Sequence, residues 1–274
     1  MKKLVHLLFE TPIEDFKTVG DFSKPGQGWD KSSAKLLSNE RGVEKIKQKW
    51  SKTSQSFNMY MIKKPGVKEF SEKGRVNPEF IEKELGLNPE EFKMGEDSDA
   101  ITVFYVSNLG DQKVPMTAWI MAHRFAHAIH ATVQNRTDAT IADQMRNFEN
   151  ECKALLAKAT EAYGVRGTGN SKMLTKAASL IGTFKSARDG NIRNEFEFIY
   201  EILAQYLITG EIKLNPLPAS TDTYSRSVFG RKDSRPGRAD EIEEFNESVE
   251  MFARDLQYYA DDVLSACVGK TFVM

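Results

Sequence analysis

Two stretches of this chain read as helices that are apolar on nearly every side, and any fold must bury both. The first is MTAWIMAHRFAHAIHATV, residues 116–133, and the second is FEFIYEILAQYLITG, residues 196–210. A surface helix keeps a polar face, whereas one that is hydrophobic all round belongs to a core. The first helix nevertheless carries His123, His127 and His130, three of the four histidines in the chain. The second carries Glu197, Glu201 and Gln205 among Phe198, Ile199, Ile202, Leu203 and Leu207.

Each α-helical residue advances by about 100°, so positions i, i+4 and i+7 fall within about 60° of arc. The histidines therefore form one stripe, and a buried imidazole needs a partner for each ring nitrogen. Two histidines at i and i+4 can chelate one ion, with a third ligand from another element. His123 and His127 have that spacing. His130 lies about 10.5 Å along the axis from His123 by the helix rise, too far to share the ion. A lone carboxylate inside an apolar helix is costly unless it is paired or bound to metal. Glu201 fits that description, with Glu197 and Gln205 one turn to either side. The expectation is a Zn²⁺ site of His123, His127 and Glu201. The competing expectation is a metal-free polar network in which Arg124 neutralises Glu201.

The remaining segments place these helices in an α+β fold, predominantly helical, with a small early sheet followed by a helical core. KLVHLLFE (3–10), FNMYMI (57–62) and AITVFYVS (100–107) read as strands, the last rich in β-branched and aromatic residues. His6, alone in the first of these, has no expected chemistry. SNERGVEKIKQKW (38–50) reads as an amphipathic helix, because Val43, Ile46 and Trp50 recur at helical spacing. In VNPEFIEKELG (76–86), Asn77 caps, Pro78 suits the first turn and Gly86 the stop. Long amphipathic helices are expected over 138–164 and 239–269, and a shorter helix over 171–184. Another is expected over 193–210, ending at Gly210, and KTFVM is expected to add a short strand. No fixed-period repeat and no convincing boundary divides the chain. Residues 1–115 form a strand-containing part, 116–210 hold the site helices, 219–238 a flexible loop, and 239–274 the C-terminal helix of one domain.

Charge and cysteine content narrow the function classes. Lys plus Arg is 38 against 39 for Asp plus Glu, which disfavours a dedicated nucleic-acid binder. GRKDSRPGR (230–238) is basic, but reads as a solvated loop. GVRGTGN (164–170) has glycines without a Walker lysine pattern and reads as a helix–helix turn. Cys152 and Cys267, the two cysteines, fall in predicted helices and read as buried free thiols of a reducing compartment. The apolar run at the N-terminus stops at Glu10 without a cleavage site. No run is long enough to span a bilayer. A cytoplasmic protein with no membrane partner is expected, its substrate or partner being an unidentified peptide or protein.

With AITVFYVS ahead of HRFAH, and EILAQYL about seventy positions further on, the chain resembles the zincin metallopeptidases, particularly the branch with a glutamate as third ligand. The resemblance covers roughly residues 100–210. It implies a zincin-like fold, a metal-dependent peptidase-like hydrolysis, and metal ligation by His123, His127 and Glu201. The chain departs from the HExxH pattern at the residue after the first histidine. There the family places the glutamate that serves as general base, and here Arg124 stands in its place. A guanidinium stays protonated and accepts no proton. Glu197 is the expected substitute base, and Arg124 is expected to bind an anionic substrate group or to pair with Glu201. The alternative is a catalytically inactive zincin-like scaffold for binding or assembly, with an Arg124–Glu201 pair in place of the metal.

Overall fold

The structure is a computed structural model of the chain and describes residues 43–48, 55–63, 73–92, 98–107, 118–162, 180–181, 195–217 and 238–274. The expected strand 3–10 with His6, most of the expected helix 171–184, and the loop 219–237 lie outside these residues. The described part is mostly helical with a small mixed sheet. The strands are β1 (Val43–Gln48), β2 (Ser56–Lys63), β3 (Gly74–Arg75), β4 (Ala100–Ser107) and β5 (Thr271–Val273). The long helices are α1 (Ala118–Gln134), α2 (Ala139–Ala162), α3 (Glu195–Thr209) and α4 (Arg238–Cys267).

The chain divides into two compact units: Met1–Arg146 with Leu203–Gly210 and Ala260–Met274, and Asn147–Ile202 with Glu211–Tyr259. The first contains the sheet, in the order β1-β2-β4-β5-β3. β4 is parallel to both β2 and β5, while β1 on β2 and β3 on β5 are antiparallel. Strand alternation sends Tyr60, Ile62, Phe104 and Val273 to one face and Phe57, Met59, Ile101, Val103 and Phe272 to the other. Both sets are buried, which accounts for the unbroken apolar character of AITVFYVS. Residues 78–92 cover the first face. Ile81, Leu85 and Leu87 join its core, and Phe92 meets Tyr60 and Phe104 edge-on at 4.8 and 5.2 Å.

That covering segment has the expected caps. Asn77 Oδ1 accepts from the Phe80 N–H at 2.9 Å, Pro78 opens the helix, and Gly86 closes it at φ 68°. The second turn widens to π geometry over Ile81–Leu85. One element departs from the sequence reading. Residues 43–48 form the edge strand β1, not part of a helix, paired residue for residue with β2 from Val43↔Ile62 to Gln48↔Phe57. Val43 and Ile46 supply too few apolar positions to bury a helix face, and the open edge of β2 offers the backbone a full ladder of hydrogen bonds. Tertiary pairing thus overrides a weak local period.

Within the second unit, Phe148, Leu155, Phe198, Phe245, Phe252 and Leu256 are buried. The Asn246 side chain holds the extended segment after α3, accepting from the Leu217 N–H at 2.7 Å and donating to the Leu217 carbonyl at 3.0 Å.

Candidate metal centre

Helix α1 is seated on the sheet by the side opposite its histidines. Phe125 meets Phe272 and Phe57 edge-on at 5.3 and 5.8 Å. The backbone of Gly74 in β3 lies against Ala128 and Thr132, and the Arg75 N–H donates to Thr132 Oγ1 at 2.7 Å. On a helical wheel, Phe125, Ala128 and Thr132 sit about 140–200° round from His123, whereas His127 and His130 are within about 40° of it. Packing of one face on the sheet therefore turns the stripe away from it.

The far end of α1 is fixed by Asp138, buried at the start of α2. Its carboxylate caps α2 through the Ile141 N–H at 3.1 Å, accepts from Arg75 Nη1 at 2.8 Å, and binds the Lys270 ammonium. Burial alone would push this carboxyl up, but the hydrogen bonds from Lys270 and Ile141 and the charges of Lys270 and Arg75 hold it below its ordinary value.

On the side of α1 away from the sheet, the Nε2 atoms of His123 and His127 are 3.0 Å apart. Their ring centroids are 4.8 Å apart and the planes are tilted by 56°. The rings thus converge on their Nε2 ends. For axes that meet symmetrically, the meeting point lies about 2 Å from each nitrogen, the length of a Zn–imidazole bond at ~2.0–2.1 Å. Without an ion the same contact is a hydrogen bond, in which one imidazole donates and the other accepts.

His123, His127 and Glu197 form a group that could hold a metal ion, one ligand atom from each lying within 4.8 Å of the others. Two neutral imidazoles and a carboxylate are a donor set suited to zinc. All three residues are partly buried.

The structure brings together His123, His127 and Glu197, while Glu201, the ligand expected from sequence, is not in the group. Glu201 and Gln205 are deeper, at 1% and 3% exposure. Both acids lie on one stripe of α3, four residues apart. Glu195, Phe196 and Glu197 are partly buried and everything from Phe198 to Leu207 is buried, so an accessible ligand belongs at the N-terminal turn, where the apolar run begins. His130 is buried one turn beyond the pair. Arg124 is partly buried.

Neither cysteine contributes chemistry. Cys152 and Cys267 are fully buried, and burial pushes both thiols well above their ordinary value. Among the described residues no helix is long and apolar enough to cross a membrane. Comparison of the chain with family models, with curated proteins and with solved structures found no match.

Proposed function

We propose that this chain is a metal-dependent hydrolase, peptidase-like and zincin-like, whose Zn²⁺ is held by His123, His127 and Glu197. The observation that carries the reading is the convergence of two Nε2 atoms 3.0 Å apart on one helix, with a carboxylate beside them. A structural zinc site is closed by four protein ligands, whereas a catalytic one keeps a position open. Three partly exposed donors fit the second description. Bound zinc supplies Lewis-acid polarisation of a substrate oxygen or a water.

The chain's own residues divide the remaining work unusually. Glu197, as a ligand, is no longer available as the base, and Arg124 accepts no proton. A hydrolase built this way would therefore rely on the ion itself to activate water, without the side-chain base of HExxH enzymes. The alternative is a non-catalytic scaffold in which the two histidines hydrogen-bond to each other without an ion.

Zinc content of untagged protein decides between them. About one zinc per chain is expected, lost in His127→Ala and weakened by more than about tenfold in Glu197→Gln, since loss of even an outer-shell partner of a ligand costs about 10- to 100-fold. Glu201→Gln keeps the zinc. No zinc in the unmodified protein after zinc has been offered refutes the metal reading, and zinc loss in Glu201→Gln but not in Glu197→Gln reassigns the third ligand.

A further inference from the structure

We propose that Arg124 is the anion-binding residue of this metal centre, and that the molecule taken there presents an oxyanion, a carboxylate or phosphate group. This rests on the metal reading above and adds the class of ligand. Arg124 is partly buried, yet among the described residues it makes no hydrogen bond, ion pair or ring contact. A guanidinium has five N–H donors and keeps its charge. Partly withdrawing it from water with no partner among the described residues costs free energy.

Its placement says what the missing partner touches. Arg124 follows His123 by one residue and precedes His127 by three. Side chains at i and i+3 are neighbours on a helix, with Cβ atoms about 5–6 Å apart. Arg124 therefore flanks the converging nitrogens on the His127 side of the stripe, within reach of a small group bound between them. Charge balance points the same way. Two neutral imidazoles, one carboxylate and a divalent ion sum to a single positive charge, and Arg124 adds a second. A neutral amide compensates neither, whereas an oxyanion compensates one or both. The planar fork of arginine matches carboxylate and phosphate through two parallel N–H···O bonds. At the position where HExxH enzymes place a base, this chain thus carries a substrate-binding cation.

Cobalt(II) in place of zinc makes the site visible. Untagged protein is loaded with Co²⁺, its visible spectrum is recorded, and it is titrated separately with inorganic phosphate and with acetate while the spectrum and heat are followed. One oxyanion per cobalt is expected, and the tighter of the two titrants identifies the group. Arg124→Gln keeps the cobalt stoichiometry but binds the oxyanion about 10- to 100-fold more weakly, the value of a charge-assisted hydrogen bond pair. Arg124→Lys, which keeps the charge and loses the fork, falls between. Equal oxyanion binding by Arg124→Gln and the unmodified protein overturns the proposal. Failure to take up cobalt, visible before any anion is added, overturns the metal reading instead. In that case phosphate and acetate titrations of the metal-free protein decide the rest: Arg124-dependent binding keeps Arg124 as an anion site, and no binding removes it.

Discussion

One methyl group at Gly74 tests how the histidine helix is seated. A Cβ built there falls 2.7 Å from Thr132 N, 2.8 Å from Ala128 O and 2.8 Å from Thr132 Oγ1. Two of these are backbone atoms of α1, so no rotamer change relieves the clash and either β3 or α1 must shift. Gly74 also has φ 73°, a conformation that costs an L-residue about 1–2 kcal/mol. Overpacking adds roughly 1–3 kcal/mol, and a shift also endangers the Arg75–Thr132 hydrogen bond, worth about 1 kcal/mol. These costs overlap, so Gly74→Ala is expected to lose about 3–4 kcal/mol in all. Gly86 is the control. Its φ is 68°, but nothing lies within 4 Å of its Cβ position, so Gly86→Ala meets only the backbone cost of about 1–2 kcal/mol. Thermal melts of the two variants side by side give the answer. A gap of about 2 kcal/mol corresponds to roughly 4–8 °C for a domain of this size. A Gly74→Ala melt no lower than that of Gly86→Ala refutes the close approach of β3 to α1, and with it the reason for the stripe to face away from the sheet.

Other outcomes follow from the same structure. Asp138→Asn removes a capping carboxylate bound by Arg75 and Lys270, at about 1–3 kcal/mol of stability at neutral pH. Because the folded carboxyl sits below its unfolded value, that contribution is fully present above about pH 4, the unfolded value. It disappears as the pH falls through the folded value. Denaturation curves of the two proteins should converge only in that acid range, and a constant difference down to low pH contradicts the assignment. Cys152 and Cys267 are buried with raised thiols, so an aromatic disulfide reagent at neutral pH should label neither until denaturant is added. Rapid labelling of the native protein refutes their burial.

The parts of this fold legible in the sequence are those settled by a local pattern. AITVFYVS supplies β4, Asn77 and Pro78 start a helix that Gly86 ends, and Gly210 closes α3 at φ 73°. KTFVM yields β5, as its β-branched and aromatic residues suggest. What stayed hidden depends on distant partners. Val43–Gln48 is a strand because β2 has an open edge beside it. Asp138 is buried because Arg75 and Lys270, far apart in sequence, meet it there. For the site, the spacing of His123 and His127 gave the pair and the apolar setting of α3 gave the acid stripe. The choice of Glu197 over Glu201 rests on the distance of each carboxylate from the ring nitrogens, and no sequence period carries that quantity.

β5 has a consequence for synthesis. It lies between β4 and β3, with Thr102 opposite Thr271 and Gly74 opposite Val273. A ribosome emits β2 and β4 long before the residues that pair with the other side of β4. During that interval β4 presents unpaired N–H and C=O groups along an apolar strand, the kind of edge that recruits other chains. Pairing across so long a stretch of sequence is also slow. The nascent chain therefore passes through an interval with β4 unpaired on that side, which the finished molecule does not have. Any shortened form lacking residues 271–273 would carry that open edge permanently.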